Sequence, residues 1–276
     1  MWKWLLAVIV LGALGFATVV YVWNVSTLGV RHPVTARPAL PKGDARRGRH
    51  LADITGCTDC HRGDLRGGLF ADDGWLHGRY YASNLTRKAK QYSDADLERI
   101  VREGVRPDGR GVMAMPAMGF VRLTDEEMAD IIAFVRSMPA GGDDQPDHFI
   151  GPLDQWDLWR VHGPKPAYAY VADERTKSPP DAGPEHATAR HLAGIVCAEC
   201  HGGDLQGNGW DSGAPDLRVV ASYSAQQFER LLRTGVAADG KERGLMTHVA
   251  RGRLHKLDDA EIAALYAYLT EVARRH

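Results

Sequence analysis

Two five-residue motifs carry most of the chemistry open to this chain: Cys57-Thr58-Asp59-Cys60-His61 and Cys197-Ala198-Glu199-Cys200-His201. Between them they hold all four cysteines of the 276 residues. Cys-x-x-Cys-His is the pattern for covalent attachment of a c-type haem. Positions i, i+3 and i+4 share one face of a helical turn, so the two sulfurs and the imidazole can point to one side. Cys57, Cys60, Cys197 and Cys200 are then the thioether anchors, and His61 and His201 the proximal iron ligands. Structural zinc fits the spacing poorly. Ribbon-type pairs lie roughly 15 to 20 residues apart, whereas 136 residues separate Cys60 from Cys197. No β-α-β context for a thioredoxin-like pair is visible.

The other face of each iron needs a donor, and an internal repeat indicates which. Arg49–Ala52 corresponds to Arg190–Ala193 at an offset of 141, and the motifs correspond at 140. Tyr92–Gly109 matches Tyr223–Gly240 at 131, and the blocks from Thr124 and Asp258 match at 134. The first unit offers Met113, Met115 and Met118, and the second only Met246 after its motif. An offset of 131 carries Met115 onto Met246, Met113 onto Gly244 and Met118 onto Val249. Met115 and Met246 are therefore the expected distal ligands, with Met113 and Met118 as alternatives in the first unit. His50 and His191 occupy matching positions before the motifs and read as packed or solvated side chains, not ligands. The motif-to-methionine interval is 54 residues in the first unit and 45 in the second. Most of the excess lies around Leu69 to Tyr81, so the two pockets are expected to differ.

These residues need elements to position them. Asp44 and Pro184 stand near the starts of the helices that lead to the motifs. Ser93-x-x-Asp96 and Ser224-x-x-Gln227 can cap the next helices, which Gly104 and Gly235 stop. Thr124-x-x-Glu127 and Asp258-x-x-Glu261 open final amphipathic helices, with apolar positions Met128, Ile131, Ile132 and Val135, and Ile262, Leu265, Tyr266 and Leu269. The expected fold class is all-α: an N-terminal transmembrane helix followed by two helical units. The divisions are 1–24 anchor, 25–42 juxtamembrane linker, 43–140 first unit, 141–185 proline-rich extended connector and 186–276 second unit. Trp156 and Trp159 read as packing residues of the connector.

Trp4 to Trp23 is twenty residues without a charge, the length needed to cross a bilayer as a helix. Terminal tryptophans and Tyr21 suit the interfaces. A cleaved signal peptide would have a shorter apolar region and a small-x-small site, which does not follow Trp23. Arg31, Arg37, Lys42, Arg46, Arg47 and Arg49 follow the span against Lys3 before it. The positive-inside rule would therefore place the bulk of the chain in the cytoplasm. That basic stretch reads as a solvated linker.

NLTRKAKQYSDADLERIVREGVRPDGRGVMAMPAMGFVRLTDEEMADIIAFVRSMP and the paired motifs resemble the class I cytochrome c family, in two tandem copies after about residue 43. Met115-Pro116 is similar to that family's Met-Pro pair, from which Thr247 departs. The resemblance implies two covalently attached haem c groups, each between histidine and methionine, a ligation that raises the potential and suits electron transfer. It also implies haem attachment outside the cytoplasmic membrane, which overrides the charge rule: a single-pass protein of the bacterial inner membrane with its haem units on the periplasmic side. The chain is similar to cytochrome subunits that serve periplasmic or membrane-bound dehydrogenases. It is thus expected to relay single electrons from a dehydrogenase or quinol-oxidising complex to a soluble cytochrome or terminal oxidase, without being an enzyme itself. A dihaem peroxidase or thiosulfate-oxidising cytochrome is the alternative, and would need an open iron. A net charge of −1, with 44% hydrophobic and 25% charged residues, excludes a disordered chain and a strongly basic nucleic-acid binder.

Overall fold

The computed structural model describes residues 2–28, 31–34, 36–156, 170–207 and 213–275. Helix α1 (Trp2–Leu28) is long and apolar enough to cross a membrane, and its described side chains are exposed. The segment after it is not a solvated linker. Arg31 donates to the Asp108 carbonyl and Arg37 forms ion pairs with Glu98 and Glu103, while Arg47 pairs with Asp130 and Arg49 with Asp53. Most of the basic run is thus occupied by the acids and carbonyls of the first unit.

That unit is built from α2 (Ala45–Ile54), α3 (Cys57–Cys60), α4 (Gly74–His77), α5 (Leu85–Gln91), α6 (Asp94–Glu103) and α7 (Asp125–Ser137). Asp44 caps α2 by accepting from the Arg46 and Arg47 amides, and both expected capping boxes form, at Ser93/Asp96 and Thr124/Glu127. Helices α2 and α7 pack closely because Gly48 has no side chain. A Cβ there would sit 1.8 Å from the Asp130 carbonyl oxygen. Buried Asp130 locks the same crossing by accepting from the Asp44 amide and the Arg47 guanidinium.

After the short helix α8 (Val171–Arg175) the second unit repeats the plan with α9 (Ala187–Val196), α10 (Ala198–His201), α11 (Ala225–Thr234), α12 (Leu245–Gly252) and α13 (Asp259–Arg275). The Ser224/Gln227 box forms, and Asp258 and Glu261 exchange backbone bonds in the same way. Pro184 opens a 3-10 turn that feeds α9. One apolar core runs through both units, joining Ile54, Met128 and Ile132 to Ala193, Leu265 and Leu269.

The helical class holds, with one addition. The extra residues of the first unit form strands β1 (Gly68–Asp72) and β2 (Gly78–Ala82), and β3 (Phe149–Ile150) extends them to an antiparallel sheet of order β1-β2-β3. The described parts of the connector are accordingly less extended than its prolines suggest. Buried Asn84 holds its start by donating to the Gly141 and Asp143 carbonyls. Val171 packs on Met118, and the Pro180 carbonyl accepts from buried Tyr268. Trp159 lies outside the described residues. Trp156 makes a ring contact with Phe16 of α1, at 6.4 Å between centroids, and is otherwise partly exposed.

Candidate functional site

Each Cys-x-x-Cys-His motif sits on a single helical turn directly after the first helix of its unit. Gly56, at φ 87°, makes the break between α2 and α3. The turn beyond each motif is the same in both units. Leu65 (φ 58°) and Leu205 (φ 62°) adopt left-handed backbone, an uncommon state for leucine, with their side chains buried in the core. Gly67 N–H returns to the His61 carbonyl and Gly207 N–H to the His201 carbonyl. Leu85 N–H donates to the Leu65 carbonyl and Leu217 N–H to the Leu205 carbonyl, which fixes the segment opposite each histidine. As a result His61 donates Nδ1–H to the Ser83 carbonyl and His201 to the Pro215 carbonyl, both at 2.8 Å. A carbonyl can only accept, so the proton resides on Nδ1 and the lone pair on Nε2. Desolvation holds both imidazoles below their usual pKa, which keeps them neutral at pH 7. An Nδ1–H held by a backbone carbonyl is the arrangement that orients a metal-ligating histidine.

The cysteines lie at the edge of the core. Burial pushes every thiol up: Cys60 and Cys200 to about 11, Cys197 to about 12, and Cys57 in the same direction. At neutral pH these are thiols, not thiolates, which disfavours a cysteine nucleophile. Two protonated sulfurs with a neutral imidazole beside them fit a covalently attached porphyrin whose iron takes the ring nitrogen.

The methionines are delivered by a second repeated device. Val105 bridges Gly111 and Val236 bridges Glu242, closing tight turns in which Gly109 (φ 82°) and Gly240 (φ 80°) supply left-handed backbone. Met115 leaves the first turn in a loop ahead of a 3-10 turn, Ala117–Phe120, whereas Met246 lies in the first turn of α12. Both are partly buried against the same core as Cys57 and Cys197. Met118 is placed differently, buried in a separate cluster with Ala117 and Val171. Met113 is half-buried and belongs to neither cluster.

The two motifs, 140 residues apart in sequence, meet across one seam. Arg253, only 8% exposed, donates from one nitrogen to the Thr55 carbonyl (3.2 Å), just ahead of the first motif, and to Glu199 (2.8 Å), inside the second. Its positive charge acts on Cys57 and Cys60 as well as on Cys197 and Cys200. Lys256 bonds Asp53 and Thr58 from the same side. The seam has an approximate two-fold pattern: His50 meets Glu261 at 2.8 Å, and its repeat partner His191 meets Glu127 at 2.8 Å. Each unit's first helix therefore engages the capping-box glutamate of the other unit's last helix. Asp59 packs on Gly252, and Glu199 on Gly119. Arg122, the repeat counterpart of Arg253, instead binds the Glu174 and Lys177 carbonyls of the connector.

Sequence reasoning missed Arg253 and the roles of His50 and His191. The only available signal was that Arg253 repeats Arg122 at the offset of 131.

Comparison with known proteins agrees with this arrangement. The family description "Cytochrome c" matches residues 45–139 and 180–273. Among curated relatives, the fructose dehydrogenase cytochrome subunit of Gluconobacter japonicus is 25% identical over 263 residues, covering 82% of this chain and 52% of the relative. The chain thus spans about half the length of that relative. With two family matches, each enclosing one Cys-x-x-Cys-His motif on the repeated scaffold described above, the chain belongs to the cytochrome c family.

Proposed function

We propose that this protein is a membrane-tethered dihaem relay that passes single electrons between a dehydrogenase or quinol-oxidising complex and a soluble cytochrome or terminal oxidase. Cys57 and Cys60 hold one haem c and Cys197 and Cys200 the other. His61 and Met115 complete the first iron, and His201 and Met246 the second. When bound, the haem supplies a one-electron iron couple, and histidine–methionine ligation raises its potential. The protein's own residues do the rest. The Ser83 and Pro215 carbonyls orient the histidines, and the core-edge methionines Met115 and Met246 would supply the second protein donor to each iron.

The observation that carries this reading is the seam, where Arg253 touches both motif-bearing segments. An arrangement that brings two attachment sites together suits transfer from one to the other more than two independent reactions. Tethering through α1 on the periplasmic side of the inner membrane keeps the relay beside membrane partners. The relative's printed role supports a dehydrogenase as the donor. The test is a potentiometric titration of the purified full chain, followed by addition of peroxide or cyanide to the oxidised protein. Two one-electron steps and a near-silent response to both reagents are expected. Rapid binding of either at one iron would assign the chain to catalysis instead.

A further inference from the structure

The extra sheet of the first unit carries an exposed apolar surface that electron relay does not explain. Ten large apolar side chains are exposed outside α1 among the described residues, and all but Val34, Val219 and Leu245 lie on β1, α4 or the 149–156 segment. Trp75 is 71% exposed, with exposed Phe70 on β1, Leu76 beside it in α4, and exposed Phe149, Leu153 and Trp156 on the segment whose start pairs with β2. Some polar groups of this element are paired within it, while the Arg79–Asp72 ion pair stays exposed at the strand ends. The Asp154 carboxylate accepts from His77 Nδ1 (2.8 Å) and from the Tyr80 hydroxyl (2.5 Å), and Gln155 donates to the Ile150 carbonyl. Strand, turn and segment are thereby locked together with their apolar side chains outward.

What covers this face follows from where α1 leads. Arg31 and His32 are bonded to the Asp108 and Gly109 carbonyls, three to four residues after α1 ends at Leu28. At about 1.5 Å per helical residue from Trp23 to Leu28 and no more than about 3.6 Å per residue beyond it, the point where the first unit is attached stays within about 18 Å of the level of Trp23. The patch is also continuous with α1 through the Phe16–Trp156 ring contact. Phe16 lies seven residues inside Trp23, about 10 Å along the helix. That matches the roughly 5 to 10 Å to which interfacial elements enter the headgroup and acyl boundary. Tryptophan, tyrosine and phenylalanine are suited to that depth.

We propose that β1, α4 and residues 149–156 form a docking platform that lies in the outer face of the bilayer spanned by α1, fixing the orientation of the first unit relative to the membrane. The proposal rests on the reading of α1 as a membrane anchor, and the experiment separates the two. The full chain is reconstituted into phosphatidylcholine–phosphatidylglycerol vesicles, with an environment-sensitive fluorophore attached through Trp75→Cys or, as control, through Val219→Cys in the second unit. Carbonate-resistant flotation reports the anchor. Quenching by lipid-borne against aqueous quenchers reports the platform. The expected result is flotation of both proteins, with lipid quenching several-fold greater at position 75 than at 219. Flotation with position 75 as water-accessible as 219 would overturn the platform while leaving the anchor intact. Loss of flotation would overturn both. Shielding of position 75 that requires added membrane protein would make the patch a protein-docking surface and would also overturn the proposal.

Discussion

At the residue scale, the three candidate methionines of the first unit lie in different surroundings, and the proposed ligation rests on Met115. Met115→Ala and Met246→Ala are each expected to open one iron of two, so that cyanide binds half of the haem while the other half is unaffected; absorption spectroscopy reads this directly. Met118→Ala is expected to leave ligation intact and to cost about 2 kcal/mol of stability through the cavity left in its packing cluster. Arg253 makes a second prediction. Its charge lies between both motifs, and a nearby positive charge disfavours the more positive, oxidised iron. Arg253→Met should therefore lower both midpoint potentials, whereas Arg253→Lys, which keeps the charge, should shift them much less. Equal shifts in the two variants would reduce Arg253 to a packing role.

At the scale of elements, the α2–α7 crossing depends on the missing side chain of Gly48. Gly48→Val would drive a branched side chain into the Asp130 backbone, and thermal or denaturant unfolding should show a loss of at least about 2 kcal/mol. The seam helices carry a pH dependence. The Glu127 carboxylate raises the pKa of His191. A histidine raised on folding contributes its full stability below the unfolded value of about 6.5 and loses it as pH rises through the folded value. Unfolding temperature should accordingly fall as pH rises above about 6.5, and Glu127→Gln should flatten that slope.

The helices themselves were legible in the sequence, because capping boxes at Ser93, Thr124 and Ser224, stop glycines at Gly104 and Gly235, and apolar periodicity are local signals. The β1–β2 hairpin was also locally encoded, with Asp72-Asp73-Gly74 between two short apolar runs, but it reads as loop when the rest of the unit is helical. Strand β3 could not be found that way. It pairs with β2 from about 70 residues downstream and is only two residues long. Arg253, His50 and His191 were hidden for the same reason: their partners lie in the other unit, and no periodicity in one helix reports a contact across a seam.

At the scale of the whole molecule, duplication and docking convert two small helical units into one body. Each unit is thin, and a continuous core joining Ile54 and Met128 to Leu265 and Leu269 gives both a shared interior. The same docking brings the two motif-bearing segments to one seam through Arg253, so the stability of the pair depends on that interface. The account stands on both motifs being loaded. The most direct test is the intact mass of the denatured full chain, made in a host that matures c-type cytochromes. The account predicts the polypeptide plus two covalently bound haems. A bare polypeptide, or a chain retaining only one haem, would contradict it.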